Sequence, residues 1–124
     1  MSGERQRLGR AAEDAAAAFL ERAGLRVVER NVRFAAGEID LVCHEHDVWV
    51  FVEVKARRRG WDDGPAAAVS WQKQRRLVQL AALYRKWRRI TEARCRFDVV
   101  AVTMAVDGAR DVRHIRSAFD ATGS

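Results

Sequence analysis

The sequence predicts an α/β fold, a mixed β-sheet flanked by two helices in the order α-β-β-β-α-β-β. Three observations carry this. An Ala-rich segment with apolar residues at helical spacing opens the chain, and three β-branched stretches follow it with no helical pattern between them. A second amphipathic helix then leads into a continuous apolar run, Phe97 to Val102, as a buried strand joined by a crossover requires. At 124 residues the chain is expected to form one domain over 1–120 with a disordered tail at 121–124.

Residues 4–23 read as the first helix, with Leu8, Ala12, Ala15 and Phe19 at helical spacing and Gly24 as its stop. Leu25–Phe34 is the first strand. Ala35-Ala36-Gly37 then turns the chain into Glu38–Glu45, where Ile39, Leu41 and Cys43 are expected on one face and Glu38, Asp40 and Val42 on the other. Val48–Ala56 has the composition of a third strand, and Arg57–Pro65 reads as a loop by its Gly and Pro content. Residues 66–89 form the second helix. Its stripe of Leu77, Leu80, Ala81, Tyr84 and Trp87 should cover the sheet, and Trp71 also reads as a packing residue. Arg96–Thr103 and Asp111–Ala118 complete the strands, with Asp98 expected to cap or salt-bridge a helix.

The balance of 23 basic and 17 acidic residues, net +6, suits a polyanionic partner, and the preference for Arg suits phosphate because its planar fork binds bidentately. Cys43 and Cys95 have no metal-binding spacing and read as buried free thiols, and the three histidines form no zinc pattern. The sequence shows neither a secretory pattern nor an apolar run long enough for a membrane span, so a cytoplasmic location is expected.

The chemistry concentrates in Gly37-Glu38-Ile39-Asp40-Leu41 and Phe51-Val52-Glu53-Val54-Lys55. Glu53 and Lys55 project from one face of a strand, the face that also carries Trp49 and Phe51. A hairpin closed by a two-residue turn at His46-Asp47 sets Asp40 opposite Glu53. Two carboxylates so placed repel, and a divalent cation held by hard oxygen ligands compensates them better than Lys55 alone. A three-residue loop would instead put the two carboxylates on opposite faces.

Asp40, twelve intervening residues and then Glu53-Val54-Lys55 resemble the PD-(D/E)xK nuclease signature. More narrowly, the chain resembles the YraN-like family of endonuclease-like proteins. The resemblance runs through Leu8-Gly9-Arg10 with Glu13, Gly24, Arg30-Asn31, Gly37 to Val42, Phe51 to Lys55, Gly64-Pro65, Lys73 to Leu77 and Phe97 to Val100. Archaeal Holliday-junction resolvases are a looser match. The resemblance implies a restriction-endonuclease-like three-layer core and Mg²⁺ or Mn²⁺ bound by Asp40, Glu53 and the Val54 carbonyl. It also implies Lys55 as the catalytic cation, with Glu13 beside the site. Gln74 leans toward the sheet on the helical wheel and is the candidate for positioning water or phosphate. Glu38 is a possible auxiliary carboxylate.

Arg57, Arg58 and Arg59, with Lys73, Arg75 and Arg76 at the start of the second helix, are the candidate phosphate contacts. The expected activity is metal-dependent hydrolysis of DNA, branched or single-stranded, with a homodimer and a helicase or recombination partner as associated expectations. The alternative is a non-catalytic nucleic-acid-binding module that recruits a repair partner. The plainest alternative is a small structural protein whose charges serve solubility.

Overall fold

The computed structural model describes residues 2–60 and 69–121. Its elements follow the expected order: α1 (Ser2–Arg22), β1 (Arg26–Phe34), β2 (Gly37–Glu45), β3 (Val48–Arg58), α2 (Trp71–Trp87), β4 (Arg94–Met104) and β5 (Arg110–Phe119). The five strands lie in sequence order across one sheet, and only the β3–β4 pair is parallel. That pair flanks the α2 crossover.

Helix α1 covers one face of the sheet and α2 the other, giving three layers. Under α1, Ala12, Ala16 and Leu20 pack on Leu41, Cys43, Val50, Val52, Val100 and Val102. The alanines bring the helix close to the sheet, and Phe19, expected in the stripe, sits beside it with its ring edge-on to His114. The helix ends in a Schellman arrangement: Leu25 N–H donates to Leu20 O, Gly24 N–H to Glu21 O, and Gly24 takes φ 102°. Under α2, Leu77, Leu80, Ala81 and Tyr84 pack on Val42, Phe51, Phe97 and Val99.

Several sequence expectations are corrected. Strand β3 does not end at Ala56. Arg57 and Arg58 continue its ladder with β4, opposite Thr103 and Met104, because the parallel neighbour supplies hydrogen-bond partners to that point. The rest of the expected loop, Trp61 to Pro65, lies outside the described residues, as does the expected tail beyond Ala121. Helix α2 begins at Trp71, where the Ser70 hydroxyl accepts a bond from Lys73 N–H and caps it. Trp71 and Trp87 are both exposed, the latter by 62%. Trp87 sits at the margin of the stripe, about 80° from Leu77 on the wheel. Cys95 is only half-buried, whereas Cys43 is buried as expected.

Asp98 caps no helix. It is 0% exposed and is held by the Arg96 guanidinium (Nε–Oδ1 3.0 Å), His114 Nε2 (2.8 Å) and Ser117 N–H (2.9 Å). Ser117 reaches it from a bulge in β5 opposite Asp98, where its φ is 49°. Arg96 and Arg116 also bind Glu45 on β2, so the network ties three strands together. These bonds hold the Asp98 carboxyl below its usual range despite burial. Asp98→Ala leaves Arg96 with Glu45 alone and takes the acceptor from His114 and Ser117 N–H, and it should cost about 3 kcal/mol, read as a fall in the urea midpoint at constant slope.

Candidate active site

The expected hairpin forms. Glu45 faces Val48 across a two-residue turn in which His46 has φ 54°, the positive first dihedral that primed hairpin turns need. The β2–β3 ladder runs from that turn to Leu41–Val52 and stops one pair short of Asp40 and Glu53. There the strands part, and Val54 N–H donates to Asp40 Oδ2 at 2.8 Å in place of a backbone carbonyl. Because this donor lies in the sheet plane, the Asp40 carboxylate occupies the fork between the strands. N–H and C=O of one strand residue share a side, so the Val54 carbonyl faces the same fork.

Here the expected alternation of β2 fails. Leu41 and Cys43 enter the α1 layer, whereas Ile39, of the same parity, enters the α2 layer. The ladder partner strand β1 is distorted at the matching point: Asn31 has φ 55°, and Val32 beyond it packs under α2. Asn tolerates this left-handed conformation better than most residues. Its side chain also lies near enough to Glu13 of α1 to favour that carboxyl's charged form, a role the sequence alone left unassigned. The paired distortion turns Asp40 out of the regular pleat.

Four carboxylates meet around this fork. Ligand oxygens of Glu13, Glu38 and Asp40 lie within 4.8 Å of one another. Asp40 and Glu53 line a cavity of about 120 Å³ with Gly37, Glu38, Lys73, Arg76, Leu77 and Leu80. Gly37 is what lets α2 come so near. Its φ of 149° suits glycine, and a Cβ there would stand 3.3 Å from Arg76 Cδ and 3.4 Å from Leu80 Cδ1.

The electrostatics is that of a site short of positive charge. Burial, then the neighbouring Glu53 carboxylate, push the Asp40 carboxyl up to about 7, against the Val54 hydrogen bond that lowers it. Burial also raises Glu53, while Lys73 and Arg76 pull it down. Glu13 is raised by burial as well. The oxygen-rich donor set and its unrelieved repulsion fit a hard divalent cation.

The other candidates are distributed as follows. Lys55 stands two residues beyond Glu53, half-buried, in ladder with Ala101. Lys73 and Arg76 line the carboxylate cavity. Gln74 does not line it: its amide donates to Val69 O at 2.9 Å and serves the entry to α2. Arg75 lies elsewhere, over the Trp71 ring at 4.7 Å. Arg59 is exposed just past β3. The wheel turned Gln74 toward the sheet, but helix position alone does not show that Lys73 and Arg76 flank the hairpin.

Without metal, ionising Asp40 opposes folding. Its folded-state carboxyl titrates above the unfolded value, so the penalty is absent below about pH 4, grows as pH rises toward 7 and is complete above that. Asp40→Asn keeps an acceptor for Val54 N–H and removes the charge. In EDTA at pH 8 the variant should melt about 5 °C above the parent, with the gap closing at pH 4. A variant melting no higher than the parent at pH 8 contradicts this electrostatic account.

Comparison with known proteins places the chain among relatives. The model of a family described as uncharacterised protein family UPF0102 matches residues 12–102. A UPF0102 protein of Symbiobacterium thermophilum is 48% identical over 116 residues, spanning 94% of this chain and 98% of that one. A UPF0102 protein of Desulforapulum autotrophicum is 47% identical over 119 residues, spanning 96% and 98%. Among solved structures, Pyrococcus furiosus SfsA in complex with Ca²⁺ superposes with a TM-score of 0.43 at 16% identity, over 86% of this chain and 63% of that one. Nothing about the site follows from so distant a likeness. The sequence relatives are close and cover nearly their full lengths, and on that ground the chain belongs to the UPF0102 family.

Proposed function

We propose that this chain is a metal-dependent endonuclease of the PD-(D/E)xK type that hydrolyses DNA phosphodiester bonds. The observation that supports the reading most is the carboxylate fork itself. Asp40 and Glu53 share a cavity with Lys73 and Arg76, and Glu13 and Glu38 adjoin Asp40. Burial and three carboxylate neighbours raise the proton affinity of Asp40, an arrangement that serves no folding purpose, and perturbed carboxylates in a cleft mark sites of chemistry.

The residues that would hold Mg²⁺ or Mn²⁺ are Asp40 and Glu53, with the Val54 carbonyl and, from the neighbouring cluster, Glu38. A cation bound there supplies charge against a phosphoryl oxygen and acidifies a water molecule. Lys73 and Arg76, on the α2 wall of the cavity, bind the DNA phosphate on either side of the bond to be cut. Lys55, on the Glu53 side of β3, orients the attacking water and offsets negative charge that builds on the phosphoryl oxygens. Glu13, beside Asn31, accepts the proton that water loses as its oxygen bonds to phosphorus, and the strand oxygen freed when the other P–O bond breaks takes a proton from solvent.

Labelled linear, single-stranded, flapped and four-way-junction DNA, incubated with Mg²⁺, Mn²⁺ or EDTA, tests the proposal. Cleavage should require the divalent ion, disappear in Asp40→Ala and fall about 100-fold or more in Lys55→Ala. Retained cleavage by pure Asp40→Ala protein sinks the assignment. Metal-independent binding with no cleavage of any substrate makes the chain a recruiting module instead.

A further inference from the structure

We propose that the groove between the β1 edge and the C-terminal half of α2 is a stacking subsite for a base of an unpaired DNA strand. The inference rests on the nuclease reading for its ligand class and extends it, because it names the substrate's single-stranded character and a residue that recognises it.

The groove has a volume of about 470 Å³ and is lined by Val32, Arg33, Phe34, Leu83, Lys86 and Trp87. That size suits a small planar ligand. Trp87 is 62% exposed and Leu83 44% exposed, so two large apolar side chains meet water side by side. The indole stands edge-on to Tyr84 with centroids 5.8 Å apart. Tyr84 is itself buried, its hydroxyl donating to Glu29 at 2.7 Å and accepting from Arg88 at 2.8 Å. An exposed indole set against an anchored Tyr84 is a platform on which a base can stack.

Charge selects the occupant. Arg33 and Lys86 border the groove, and among the described residues no carboxylate lines it. A nucleotide brings a flat apolar base and an anionic phosphate together, which matches an indole flanked by cations. A second copy of the chain would bring another +6 charge to the same cations.

The groove also adjoins the carboxylate cavity along α2. Arg76, Leu80, Leu83 and Trp87 succeed one another at helical spacing along one ridge of α2, the first two lining the cavity and the last two the groove. On the sheet side, Arg33 of the groove is paired at 3.0 Å with Glu38 of the cavity. From Arg76 to Trp87 the helix rises about 16 Å, or about five nucleotides at the 3.4 Å spacing of a stacked strand. A base reaches Trp87 only if its face is free, so the strand that follows this ridge is unpaired there.

Fluorescence anisotropy with single-stranded oligonucleotides in EDTA tests the subsite without any cleavage. An abasic lesion walked along the strand should weaken wild-type binding about tenfold at one position. Trp87→Ala should lose a similar factor and become indifferent to that lesion, while Trp87→Phe retains most of the affinity. Unchanged affinity in Trp87→Ala, a flat abasic scan or no binding to any single strand overturns the subsite. So does a wild-type dimer that Trp87→Ala converts to monomer in light scattering, since the groove is then a contact between copies. A chain that stacks but never cuts overturns the nuclease reading alone. One that cuts and binds normally after Trp87→Ala overturns the subsite alone.

Discussion

The hydrogen bond from Val54 N–H to the Asp40 carboxylate, made where the β2–β3 ladder ends, is the point on which the site depends. A strand that leaves its neighbour must satisfy the backbone donors it exposes. Here a side-chain carboxylate takes that place, and the protein thereby holds an acid in the plane of the sheet, within reach of groups from both helix layers. Glu13 comes to it from α1, and Lys73 and Arg76 flank it from α2. The fork converts a two-faced sheet into a site that both faces serve.

Asp98 and Asp40, both in the sheet, show how partners decide what burial does to a carboxyl. Asp98 is completely buried, yet Arg96, His114 and Ser117 N–H satisfy it and hold its proton affinity below normal. Asp40 is less enclosed, yet it has one neutral donor and three carboxylate neighbours, and its proton affinity rises. The first arrangement is self-contained and ties β4 to β2 and β5 through Arg96 and Glu45. The second is left open to an external positive charge. Burial costs both; only the partners decide the sign.

Helix α2 has a similar division along its length. Its buried face, Leu77 to Tyr84, fixes it to the sheet, and the tight approach at Gly37 sets its first turns beside the carboxylates. In its final turn Trp87 lies at the margin of the buried stripe, so the indole emerges into the groove beside β1 instead of the core. One rigid element thus spans from the acidic cavity to an exposed indole, and the rigidity of Tyr84 with Glu29 and Arg88 fixes that separation.

Much of this was legible along the chain. Strand and helix periods, the Gly24 stop and the two-residue turn at His46-Asp47 are local features, and local sterics and burial patterns give the element order and the hairpin register. That register brought Asp40 to Glu53, because side chains on a strand alternate with a fixed period. The failures all concern what neighbouring elements do to one another. Periodicity could not show that Ile39 and Leu41 part to opposite layers, since the twist arises from β1 and β2 distorting together around Asn31. A helical wheel could not show that Lys73 and Arg76 flank the carboxylates while Gln74 turns to Val69. Nor could it show that Trp87 faces the groove beside β1 instead of the core. Those outcomes depend on where α2 meets the hairpin, a contact between segments far apart in sequence that packing alone sets.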